Sequence, residues 1–159
     1  MAQSFIFDNA KKLIGNGSIK LQDVNGIYRL ALFTGDIFTN IPLYRKKTLW
    51  SEISGMEITN SNIGYERKKI LNIGIVVDPL NDINYMVYAD DIIYGGGVST
   101  ITASAAVIVK LANATADITA DSLLVACIDL RQNNAPVISN NGTFTIKMSQ
   151  SSGGYLMIK

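Results

Sequence analysis

The stretch NNGTFTIKMSQSSGGYLMIK, residues 140–159, decides the fold. Phe144, Ile146 and Met148 alternate with Thr143, Thr145 and Lys147. Alternation of this kind reads as a β-strand with one dry and one wet face. Asn140-Asn141-Gly142 ahead of it reads as a turn, because Asn and Gly tolerate positive φ. Ser152-Gly153-Gly154 reads as a return turn that lays residues 155–158 back against the strand. A closing β-hairpin is therefore the feature that the rest of the chain must fit.

Working outward, the same signals recur. Residues 123–130 are apolar on both faces, as a central or interface strand would be. Residues 101–111 read as one long strand with Ala105, Val107, Val109 and Leu111 on one face, and Gly95-Gly96-Gly97 before it as a flexible corner. Residues 84–88 and 92–94 are short strands around Ala89-Asp90-Asp91. In 70–77, Leu71, Ile73, Ile75 and Val77 are expected to share a face, with Asp78-Pro79 ending the run. Residues 27–33 are a buried strand that follows a turn at 23–26, and residues 18–21 begin the β-region. Between them lie a loop over 35–47 broken at Pro42, one helical turn at 48–53, an Asn/Ser-rich surface excursion at 55–64 and a small-residue loop at 112–121. Residues 4–14 read as a short helix capped by Ser4 and stopped by Gly15 and Gly17, with Ile6, Ala10, Leu13 and Ile14 on one face. Eight or nine strands with no helical crossover point to a mainly β, antiparallel sandwich, jelly-roll-like, with a short N-terminal helix. The expected division is a single domain over 1–159, with residues 1–17 as a helical arm and 18–159 as the sandwich.

Composition bounds the function. Charged residues are 17% of the 159, below the roughly 25% usual for soluble domains. Such a surface suits either an assembly contact or a polar uncharged β-domain. The net charge of +1 gives no field that would draw nucleic acid. Arg45-Lys46-Lys47 and Arg67-Lys68-Lys69 read as edge-protecting charges. No apolar stretch reaches the length of a membrane span, and the first fifteen residues carry no secretory pattern, so the Asn-x-Ser/Thr triplets at Asn16, Asn113 and Asn141 are chance matches. Cys127 stands alone within an apolar run and is expected to be buried and quiet, in a fold without disulfides that suits a reducing cytoplasm.

Chemistry is scarce. The chain has no histidine, which removes Ser–His and Cys–His catalysis and histidine-based zinc sites. Asp90 and Asp91 are adjacent, with Asp78 and Asp82 upstream, but neighbours on a strand face opposite ways and do not share a site. Gly95-Gly96-Gly97 lacks the Lys-Ser/Thr of a phosphate loop. No catalytic, metal or cofactor-binding residues are expected. Tyr85, Tyr88 and Tyr94, with Tyr44, Trp50 and Tyr65, could stack a sugar or a base, or fill a core or a subunit contact.

In order, the chain offers NGSIKL, IYRLALFT, SEISG, Gly64-Tyr65, MVYADDIIY, TITASAAVIVK, LLVACIDL and APVISNNGTFTIKMSQSSGGYLMI. This series resembles a group of small tailed-bacteriophage virion proteins over most of the chain. It departs from them in a longer insert between Ser54-Gly55 and Gly64-Tyr65. The resemblance implies a non-enzymatic virion structural protein of the capsid-decoration or head–neck accessory type, with a β-sandwich or jelly-roll form. Such a protein is made in the host bacterial cytoplasm and carried in the virion. Its expected partners are the major capsid protein or another virion protein and further copies of itself, as a trimer or larger ring, with neither nucleic acid nor membrane. The expected contacts are Phe5 and Phe7 on the N-terminal helix, Tyr44 in the loop 39–49, Trp50, and Met56 and Ile58 in the insert 56–63. The alternative from the same residues is a recognition module that binds glycan or receptor on a phage tail or neck.

Overall fold

The computed structural model describes residues 3–22, 26–59, 61–77, 85–113, 117–149 and 156–158. The chain is mainly β, and every strand pairing among the described residues is antiparallel. The first sheet runs in the order β1 (Phe5–Ile6), β8 (Leu123–Asp129), β7 (Ala105–Lys110), β2 (Tyr28–Phe33), β3 (Lys68–Lys69). The second is β10 (Leu156–Ile158), β5 (Tyr85–Tyr88), β4 (Gly74–Val77), and the third is the ribbon of β6 (Ile92–Ala103) and β9 (Val137–Ile146). Among the described residues the sheets have five, three and two strands. One apolar cluster takes Leu30 and Leu32 from the first sheet, Val87 from the second, and Tyr94, Ile101, Phe144 and Ile146 from the third. The three sheets thus share one apolar interior.

The five-stranded sheet follows from its sequence. All six residues of β2 are buried, as are Ala105 to Val109 of β7 and Leu124 to Cys127 of β8. Strands apolar on both faces must be covered on both. The run 101–111 is not one strand, because it breaks at Ser104. There the Ser104 hydroxyl donates to the carbonyls of Phe33 and Gly35, at 3.1 and 3.0 Å. The Ser104 backbone keeps partners as well, donating its N–H to the Phe33 carbonyl at 2.8 Å and accepting the Leu130 N–H at 3.1 Å, and the chain changes sheet at this residue.

The N-terminal segment is part of this sheet and not an arm. Phe5 pairs with Cys127 and Ile6 with Ala126. Helix α1 is shorter than expected, Asp8–Gly15, and Phe7 at its start offers no side-chain cap. Ser4 serves β8 instead, accepting the Asp129 N–H at 3.0 Å. Gly17, with φ of 77°, ends the helix region as expected. Pro42 lies in the first turn of α2 (Ile41–Tyr44), where a missing N–H costs nothing, so it starts a helix where a break was expected. A 3₁₀ turn at Trp50–Glu52 matches the expected helical turn, and Glu52 accepts the Thr48 and Leu49 N–H groups at 2.7 and 2.9 Å. Residues 18–21 form no strand.

The closing region differs most from its sequence reading. Phe144, Ile146 and Met148 are buried while Thr145 and Lys147 are exposed, so the alternation holds. Asn140-Asn141-Gly142 is not a turn, however. It lies inside β9 as a bulge, with Asn141 at φ 47°. Gly95-Gly96-Gly97 likewise lies inside β6, opposite that bulge, and the register shifts between Tyr94 and Ser99. Two stretches rich in positive-φ residues met each other and made a paired irregularity in place of two turns. β9 therefore pairs with β6, while β10 pairs with β5, setting Leu156 opposite Val87. The expected turns at 23–26 and at Ser152-Gly153-Gly154, and the expected strand end at Asp78-Pro79, lie outside the described residues or largely so.

Residues 70–77 also reverse. Leu71, Ile75 and Val77 are exposed, and Ile73 alone of that set is buried. Asn72, at φ 54°, breaks the alternation. The buried position of β4 is Gly74, over which Tyr88 lies. A Cβ there would stand 2.3 Å from the Tyr88 ring.

Candidate interface

The six expected contact residues are mostly internal. Phe7 has no exposed surface, and Trp50 and Ile58 are buried. Phe5, Tyr44 and Met56 are half-buried and packed against the core. Phe5 and Phe7 meet edge to face at 5.2 Å, and the Phe7 N–H donates to the Val125 carbonyl at 3.0 Å. Trp50 meets Phe33 edge to face at 5.6 Å. Ile58 donates its N–H to the Leu32 carbonyl at 2.9 Å. The insert 56–63 thus begins by extending the edge of β2 beyond β3. Phe7, Trp50 and Ile58 hold the fold together, so they are corrected from contacts to core. Aromatic residues suit a core and a docking patch equally well, and their spacing does not tell the two apart.

A polar network pins that insert. The Arg67 guanidinium donates from Nε and Nη2 to the two oxygens of Glu57, both at 2.8 Å. The Tyr65 hydroxyl donates to Glu57 at 2.6 Å and accepts the Leu32 N–H at 3.3 Å. Arg67 also reaches Asp117 at 3.1 Å and lies 5.1 Å from the Trp50 ring centroid. The Glu57 carboxylate raises the pKa of Arg67. Burial, then the bond to Glu57, raises that of Tyr65. Every charge in this group is answered within the fold, so the network serves stability.

Several other groups able to do chemistry are buried or bonded within the fold. Cys127 is buried in β8, and burial pushes its thiol pKa up, away from reactivity. Asp91 accepts the N–H groups of Met148 and Ser149 at 2.8 and 2.9 Å, which hold its pKa at about 2. Asp90 accepts from the Asn72 amide at 2.6 Å. Ser99 and Ser139, buried in the bulged region, bond each other at 3.2 Å, and Ser99 also donates to the Gly142 carbonyl at 2.8 Å. Tyr94 is fully buried against Tyr65 and Phe144. With Trp50 it is removed from any stacking platform, and the side chain of Tyr85 lies outside the described residues. Among the described residues no three His, Cys, Asp or Glu gather as a metal would need, and no helix is long and apolar enough to cross a membrane.

What the fold does present is apolar surface on β-strands. Ile138 and Val98 are each 64% exposed, and Ile63 and Ile93 are more than half exposed. These residues sit on the side of the β6–β9 ribbon away from the core. Ile138 stands opposite Thr102, Ile93 opposite Thr145, and Ile63 bridges to Thr100. Ile75 and Val77 on β4, and Leu71 shortly before it, are exposed as well. Sequence reasoning missed both groups. The signal was present in the alternation of β6, but with the three glycines read as a corner the face could not be carried from Tyr94 to Val98.

The chain matches no known protein family, no characterised protein and no solved structure.

Proposed function

We propose that this chain is a non-enzymatic structural component of a tailed-bacteriophage particle, of the capsid-decoration or head accessory type. It would be made in the host cytoplasm and incorporated into the virion against the major capsid protein or another virion protein. The observation that carries the reading is the exposure of Ile93, Val98 and Ile138 on the β6–β9 ribbon and of Ile63 beside it. Large apolar side chains left exposed on strands suit a contact with another protein. Three features support the reading. The chain is poor in charge, Cys127 is buried and Glu57, Arg67 and Asp91 are bonded within the fold, and the order of motifs is similar to that of small virion proteins. A decoration role asks for no more than this, since a modest contact is multiplied over many copies.

Quantitative mass spectrometry of purified particles tests the proposal. The expected result is the chain in fixed ratio to the major capsid protein. Its absence from particles that carry every other structural protein overturns the proposal.

A further inference from the structure

Among the described residues, β9 pairs with β6 along one edge and with no strand along the other. A groove of about 490 Å³ follows the second edge, lined by Ile138, Ser139, Asn140, Thr143, Phe144 and Thr145 among others. Successive residues of a strand face opposite ways, so a groove touching all of these runs along the edge and not over a face.

The other sheet edges are short or guarded. β1 and β3 have two residues each, β10 three and β4 four, and β3 is Lys68-Lys69. The far edge of β6 is partly occupied, since Thr100 donates its N–H to the Ile63 carbonyl and Thr102 donates its N–H to the Asn62 side chain. β9 is ten residues long and carries no charge. A long, uncharged open edge is a template for another strand.

The pattern along β9 matches its own reverse. Before the bulge, Ile138 and Asn140 face outward and Ser139 inward. After it, Thr143 and Thr145 face outward and Phe144 inward. The bulge shifts the phase between the two halves. Antiparallel pairing about a two-fold axis between Asn141 and Gly142 then sets Ile138 opposite Thr145 of the second copy, Ser139 opposite Phe144, and Asn140 opposite Thr143. Opposed residues in an antiparallel pair must share a face, and all three pairs do.

We infer that β9 pairs edge to edge with β9 of a second copy of this chain, forming a two-fold dimer with a continuous ribbon β6-β9-β9-β6. This rests on the assembly reading above and specifies one contact within it. A two-fold contact closes on itself, so it gives a dimer in place of the trimer or ring expected from sequence.

Sedimentation equilibrium on three forms of the chain tests the pairing. The wild type is expected to be dimeric at micromolar concentration. Ile138→Lys/Thr145→Lys places two lysine pairs across the axis and is expected to weaken the dimer about tenfold or more. Ile138→Lys/Thr145→Glu places opposite charges at the same positions and is expected to restore it. All these positions are outward-facing, and circular dichroism verifies that each variant is folded. A wild type that stays monomeric on the order of 100 µM, a double-lysine variant as dimeric as the wild type, or a folded charge-paired variant that stays monomeric overturns the pairing. Those outcomes leave the structural reading standing if particles contain the chain. Absence from particles removes that reading whatever β9 does.

Discussion

Arg67 meets Glu57 with two parallel bonds of 2.8 Å each, and the Tyr65 hydroxyl adds a third to the same carboxylate. The arrangement ties the insert to the body of the fold, because Glu57 bridges to Phe33 of β2 and Arg67 lies just before β3.

Removing Arg67 leaves the Glu57 carboxylate, whose side chain is 15% exposed, without its cation. Breaking a buried pair costs about 3–5 kcal/mol. A quarter of the Arg67 side chain is exposed, so solvent screening reduces this. Arg67→Ala is expected to destabilise by about 2–4 kcal/mol, read as a lower urea midpoint with unchanged slope. A cycle with Glu57→Ala should show strong coupling, and additive losses would mean that the pair is incidental.

Asp91 joins the start of β6 to the backbone just after β9. The Met148 and Ser149 N–H groups, then Lys147, lower its pKa from 3.8 to about 2. A depressed carboxylate contributes stability that is fully present above the unfolded pKa and lost as pH falls through the folded one. Wild type and Asp91→Ala should therefore differ in stability by a constant amount above about pH 5. The difference should shrink from about pH 4 down to 2. A difference that is flat across that range in paired denaturation curves would show that the carboxylate charge is not what the backbone amides hold.

Fold class was legible because it rests on local pattern. The alternation at 143–148 and the two-sided apolar run at 123–130 became β9 and β8, and Cys127 is buried as its neighbours implied. Partners of strands were not legible. Asn141 and Gly95 have positive φ in either a turn or a bulge, and only the meeting of β6 with β9 decides which. The candidate surface failed for a related reason. Burial of Phe7 depends on β1 joining β8, a contact spanning most of the chain. Exposure of Ile75 depends on Tyr88 lying over Gly74. Neither is written in the spacing of nearby residues.

β10 completes the second sheet from the far end of the sequence, with Leu156, Met157 and Ile158 opposite Val87, Met86 and Tyr85. Ending the chain at Ser149 turns β5 into an open edge. The lost ladder bonds are worth roughly 1 kcal/mol each, so a loss of about 2–4 kcal/mol and a melting temperature lower by about 5–10 °C are expected. Amide exchange should accelerate in β5 first, with β7 and β2 retaining their protection. Unchanged exchange at 85–88 would place β10 outside the cooperative fold.

Phe7 gives the sharpest contrast between a contact and a core residue. It has no exposed surface and stands beside β8, against the edge of Phe5. Phe7→Ser removes a buried ring and leaves a hydroxyl in its place, at a cost of about 3–5 kcal/mol. Phe5→Ser, at a half-buried position, should cost roughly half of that. Both losses should appear in urea unfolding of the protein in solution. At concentrations where each variant is still folded, neither should alter the association that β9 is proposed to mediate. A Phe7→Ser protein with full stability and weakened association would move the residue back to the surface and would require β1 to leave the sheet.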